Sequence, residues 1–73
     1  MYDYNRLSGL IIEKCKSKRN FAKLMNLSER SIYLKLQGKI EFKQSEISLA
    51  KEILDISKDD IFDYFFKKKV QKN

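Results

Sequence analysis

The sequence has no proline and no histidine, a single cysteine, and glycine only at positions 9 and 38. Without proline, no position removes a backbone donor from a helix, and the abundance of Leu, Ile, Lys and Glu favours helices joined by tight corners. Cys15 alone cannot form an internal disulfide, and with no histidine present zinc held by cysteine or histidine is excluded. There is no glycine-rich phosphate loop and no nucleophile paired with a base, so an enzyme is not expected, and neither cofactor, metal nor small-molecule substrate is implied. Asp59, Asp60 and Asp63 sit where a helix would start, a place that favours negative charge anyway, and they lack the ring of oxygen donors that a hard metal ion needs. The longest apolar run falls far short of the roughly 18 residues of a membrane span, and MYDYNR does not read as a charged-then-apolar leader. A chain that stays in the cytoplasm, away from membranes, is the expectation.

What the sequence does have is positive charge, unevenly placed. The 73 residues carry a formal net charge of +6, enough for one small domain with a modest core and a preference for acidic partners. Lys14, Lys16, Lys18, Arg19, Lys23, Arg30, Lys35, Lys39 and Lys43 are opposed only by Glu29 and Glu41, whereas the stretch 44–66 is acidic and the tail 67–73 turns basic again. A basic zone of this kind is an ordinary solvated face in many helical proteins; its overlap with a binding motif makes nucleic acid the stronger reading.

Hydrophobic spacing divides the chain into five short helices. Leu7, Leu10, Ile11 and Cys15 give the first, from about residue 5 to 16, a single buried stripe in which Cys15 is a small core residue. Residues 17–39, SKRNFAKLMNLSERSIYLKLQGK, hold the second and third helices, separated only by Asn26 and Leu27. Ser17 and Ser28 are the expected N-caps, Phe21, Ala22, Leu24 and Met25 form one apolar side, Ile32 and Leu36 another, and Gly38 stops the third helix. Asn26 tolerates the left-handed backbone that a sharp corner needs. In the connector, Phe42 and Ile40 are expected to tuck into the core; Ser45 is the expected cap of helix four, with Ile47, Ala50, Ile53 and Leu54 facing inward, and Ser57 that of helix five. The last helix carries Ile61, Phe62, Tyr64, Phe65 and Phe66, more ring surface than one short stripe can hide.

Two helices this close, in this order and inside the basic zone, are the pattern of a helix-turn-helix. At about 100° per residue, with Ile32 and Leu36 inward, Arg30 and Leu34 point away from the core, flanked by Glu29, Ser31 and Tyr33. These five are the candidate base-reading residues: Arg30 can donate twice to guanine, Leu34 can touch a thymine methyl, and Glu29 can accept from cytosine or orient Arg30. Candidate phosphate contacts are Ser17 and Lys18 at the start of helix two, Ser28 at the start of helix three, and Lys35, Lys39 and Lys43 beyond it. Phe62, Tyr64, Phe65 and Phe66 are candidates for a homodimer interface, with closure of the monomer core as the competing role.

The segments FAKLMNLSERSIYLKLQGK, FKQSEI and LDISKDDIFDYFF resemble the Cro/CI (XRE-type) family of small phage and mobile-element regulators, and the closing segment is similar to regulators of Gram-positive phages. The resemblance covers residues 7–66 and implies an all-α, compact five-helix bundle of the lambda-repressor-like type, in which helix three enters the major groove of double-stranded operator DNA and two subunits read a roughly palindromic site. A transcriptional regulator, Cro-like or a repressor, acting in a bacterial host at the nucleoid, is what it implies. The chain departs from the family at Asn26, where a turn glycine is usual, and at Leu34, where a polar base-reading side chain is common. The alternative is a protein-interaction module that keeps the fold, an antirepressor or excision accessory factor, using the aromatic C-terminal end. The basic face of helix three, with Arg30 outward, favours the first reading; a neutral or apolar one would have favoured the second.

Overall fold

In the computed structural model, which describes residues 2–70, the periodicity of the first helix is realised as α1, Asn5–Cys15, with Leu7, Ile11 and Cys15 buried on one stripe. Its end turns on Lys16, a lysine in the left-handed conformation (φ 76°), whose N–H reaches the Ile12 carbonyl at 3.0 Å. Ser17 then caps α2, Lys18–Met25, its hydroxyl accepting from the Asn20 N–H at 3.0 Å, while the Asn20 side-chain amide donates back to the Cys15 carbonyl at 2.9 Å and fixes the angle between the two helices.

The next three helices share a way of stopping. α2 ends at Asn26 (φ 57°), α3, Glu29–Leu36, is followed by Gly38 (φ 77°), and α4, Gln44–Ile53, is followed by Asp55 (φ 53°). In each case the next residue's N–H bonds five positions back, Leu27 to Ala22, Lys39 to Leu34 and Ile56 to Lys51, at 2.9–3.0 Å. Only one of the three corners uses glycine, which is why the corners are hard to see in the composition. Asn26→Gly is expected to leave thermal stability nearly unchanged, whereas Asn26→Val should cost about 1 to 2 kcal/mol, because a β-branched residue resists this backbone region; urea unfolding followed by circular dichroism reads the difference.

Helix four starts two residues earlier than a Ser45 cap implies. Lys43 occupies the cap position and its N–H donates to Glu46 Oε1 at 2.8 Å, so Glu46 reaching back, and not the Ser45 hydroxyl, closes the start. Ser57 caps as expected, but onto a single 3-10 turn, Lys58–Asp60, which leads directly into α5, Ile61–Phe65. Five helices and no strand are present among the described residues, and none of these helices is long and apolar enough to cross a membrane.

The core runs through the middle of this bundle: Leu7 and Ile11 of α1, Phe21, Ala22 and Met25 of α2, Ile32 of α3, Ala50 and Leu54 of α4, Ile56, and Phe65 of α5. Cys15 lies at its edge, and burial pushes its thiol up from the ordinary value, so it packs as a small apolar group. α2 touches α1, α3 and α4, so the first helix of the motif is the central post of the fold. α5 is strapped to α1 by Arg6, whose guanidinium lies 4.9 Å from the centre of the Tyr64 ring and 3.5 Å from Asp63. The two ends of the chain meet: Asp3 N–H donates to the Lys67 carbonyl at 2.7 Å and Tyr2 forms an isolated antiparallel bridge with Lys68. Of the basic tail, residues 71–73 lie outside the described residues.

Candidate functional sites

The helix-turn-helix face is assembled by α2 and α3 together. Lys18 at the first turn of α2 and Glu29, Arg30 and Tyr33 of α3 line one shallow concavity, and all four are exposed. Sequence spacing therefore brings the intended residues to one place. Ser28 caps α3, its hydroxyl accepting from the Ser31 N–H at 3.0 Å and donating to the Ser31 hydroxyl at 2.9 Å, so Ser31 is half-buried in a local bond network. Leu34 is half-buried too, and Tyr33, 54% exposed, takes the outward place that the helical wheel assigned to Leu34.

Lys35 is not a phosphate contact. It is 5% exposed, and its ammonium bonds Glu46 Oε1 at 2.9 Å and the Glu41 carbonyl at 3.1 Å. Three residues on from Ile32 and next to Leu36, it lies on the inward side of α3, where an unpaired ammonium would be costly; the carboxylate at the start of α4 supplies the partner. Burial on its own would raise the Glu46 pKa, but the Lys43 N–H and the Lys35 ammonium outweigh it and hold this carboxyl below the ordinary glutamate range. With Lys35 withdrawn, the outward side of α3 offers one positive charge at Arg30 and one negative charge at Glu29, and no ion pair joins them among the described residues. That side of α3 is neutral, where a basic one was expected, and carries an exposed ring, while Lys18 of α2 leaves the shared concavity with a net positive charge.

Lys39 and Lys43 are exposed but stand apart from that concavity. Lys39 borders a hollow with Tyr2, Asp3, Gln37 and Lys69, near the start of α1. Ile40, expected in the core, is exposed; Phe42 alone tucks in from the connector.

The second site lies where the chain ends meet. Phe65 is 1% exposed and closes the monomer core, which removes it from any interface. The rings around it are another matter. Phe62 is 65% exposed and its ring centre lies 6.4 Å from that of Phe66, which is itself partly exposed and meets Tyr2 edge-on at 5.9 Å. Tyr64 is half-buried under Arg6. Tyr2 and Tyr4 had no signal as site or core residues, because they precede the first helical stripe; the bridge to Lys68 brings Tyr2 onto the patch, and Tyr4 is buried behind it. Burial foremost, with Tyr2 and Glu41 nearby, pushes the Tyr4 phenol up from its ordinary value.

Residues 1–68 match the model of a family described as "Protein of unknown function (DUF739)". The chain belongs to that family. It is also similar to a protein of known structure, described as the solution structure of the modulator of repression (MOR) of the temperate bacteriophage TP901-1 from Lactococcus lactis, with 47% identity and a TM-score of 0.78 over 96% of this chain and 95% of that one. Comparison with curated protein sequences finds no match. The DUF739 chain thus shares an all-α fold with a phage regulator along almost its full length.

Proposed function

We propose that this DUF739 protein regulates a phage-type repression circuit by protein contact with a repressor, made through the aromatic surface of Tyr2, Phe62 and Phe66. The observation that carries the reading is the exposure of Phe62 in a continuous ring surface that the core does not use, since Phe65 alone closes it. Rings at a surface give large contact area at low entropic cost and are typical anchors of protein interfaces. Lys68 and Glu41 both line the hollow beside Tyr2, so a partner with an apolar centre and a rim of mixed charge is the complement. The neutral outward face of α3 is in keeping with a protein partner, and the protein of similar structure bears the name modulator of repression.

A second reading has its own observation. Lys18 and Arg30, from the first turns of both helices of the motif, share one concavity, the arrangement in which a phosphate contact and a guanine-reading arginine would meet operator DNA as a homodimer. Calorimetric titration with the cognate phage repressor, beside selection from a random duplex pool, separates the two. Repressor binding with shallow salt dependence, and no enriched sequence, is expected. An enriched palindrome would favour operator binding: Arg30→Ala would then relax one base per half-site, and Lys18→Ala would make the log-log salt slope shallower by about one per subunit. A chain that binds neither the repressor nor any sequence would overturn both.

A further inference from the structure

The buried ion pair and the exposed rings are joined by an unbroken series of contacts. The Lys35 ammonium, besides its bonds to Glu46 and to the Glu41 carbonyl, lies 5.9 Å from the centre of the Phe42 ring. Phe42 meets Tyr4 edge-on at 5.3 Å and Phe65 edge-on at 5.4 Å. Tyr4 lies 6.3 Å from Tyr2, and Tyr2 leads to Phe66 and Phe62. Each ring contact has a directional preference, because the positive edge of one ring seeks the negative face of the next, so the tilt of Phe42 constrains the rings beyond it. Phe42 sits in a connector with no helical bonds of its own between Gly38 and Gln44. Two bonds flank Phe42 there: Lys35, itself held by Glu46 at the start of α4, grips the Glu41 carbonyl one residue before it, and the Lys43 N–H donates to Glu46 one residue after it.

We infer that Lys35 and Glu46 are positioning residues for the aromatic surface: acting through Phe42, they set the arrangement of the Tyr2, Phe66 and Phe62 rings that a partner meets. This rests on the reading of that surface as the contact site. The pair costs desolvation energy and an apolar replacement of the same volume would hold α3 to α4 as well, so stability alone does not call for charges here. What an apolar pair does not reproduce is the grip on the Glu41 carbonyl and the cation over the Phe42 ring.

The test uses the double variant Lys35→Met with Glu46→Leu, and Met25→Ala as a control that weakens the core on α2 away from the rings. In the free full-length chain, aromatic carbon–proton spectra at constant temperature should show shifted Tyr2, Phe62 and Phe66 resonances in the double variant despite near-normal unfolding free energy, and unshifted ones in Met25→Ala despite its lower stability. Binding of the double variant to the cognate repressor should be about three- to tenfold weaker. Unshifted ring resonances in a folded double variant overturn the inference, whatever the repressor does. Should the double variant fail to fold, Lys35→Met alone, which removes the ammonium from the Glu41 carbonyl and the Phe42 ring and keeps Glu46 as the acceptor for the Lys43 N–H, serves for the same spectra with the same criterion. A chain in which Phe62→Ala leaves repressor affinity unchanged refutes the contact site, while the spectra still decide the positioning role.

Discussion

Glu46→Ala should lower the unfolding free energy by about 3 kcal/mol or more, because it leaves the Lys35 ammonium buried without a counter-charge. In a domain of this size the total is on the order of 5 kcal/mol, so the variant should be substantially unfolded near body temperature. The loss has two sources that can be separated. Alanine also removes the acceptor for the Lys43 N–H at the start of α4, whereas Glu46→Gln retains an oxygen there and should lose less. Replacing both partners, Lys35→Met with Glu46→Leu, removes the stranded charge and should recover all but about 1 kcal/mol of the loss, the remainder being the missing acceptor for the Lys43 N–H. The pair also sets an acid response. Since the Glu46 carboxyl is held below the ordinary glutamate range in the folded state, its contribution is fully present above that range and is lost as pH falls through the depressed folded value. Urea midpoints measured from neutral to acid pH should fall for the natural chain and fall less for Glu46→Gln; parallel curves would show that Glu46 does not carry the acid sensitivity.

Phe62→Ala and Phe65→Ala should diverge more sharply than any other neighbouring substitutions in the molecule. Phe65 is enclosed by Phe42 and the core, and truncating it leaves a cavity that costs about 3 to 5 kcal/mol, most of the fold's stability. Phe62 is mostly in water, and its loss should move the melting curve by less than about 0.5 kcal/mol equivalent. Its effect should appear in binding instead, at tenfold or more, on the order of 2 kcal/mol, if the ring is an anchor for the repressor. Melting curves and calorimetric titration of both variants check this, with sedimentation added to detect self-association. A Phe62→Ala chain that binds the repressor like the natural one would remove the aromatic surface as the contact; a dimer that it converts to monomer would assign the surface to a second copy of the chain.

Much of the helix pattern was legible from local signals: inward stripes at helical spacing, a capping serine before α2, α3 and the 3-10 turn that leads into α5, and a corner-tolerant residue after α2 and α3. Asn26 and Gly38 could be read as corners, but Lys16 and Asp55, which do the same work, look like ordinary surface charges until the backbone is seen. On α3 the helical wheel set Arg30 outward with Glu29 beside it, as they stand, but it also set Leu34 outward, where Leu34 is half-buried and Tyr33 takes the place. Lys35 was not legible. A lysine one position from the apolar stripe reads as solvated unless its partner is known, and Glu46 is eleven positions on, at a helix start whose own location depends on it. Phe65 and Phe66 posed the same difficulty in another form. Five apolar residues packed into a short helix announce too many rings, but which one turns inward is decided by tertiary contacts with Phe42 and Tyr4, far off in the sequence.

The pairing of Tyr2 with Lys68 has a practical side. It places Tyr2 and Lys68 side by side at the ring surface, so a bulky label attached at either position would stand beside Phe66 and compete with whatever docks there. Surface immobilisation through such a label would then report an occluded protein. A thiol introduced at Ser48, exposed on α4, offers a different anchor, and Cys15, shielded in the core with its thiol held in the unreactive form, would not compete for the coupling reagent.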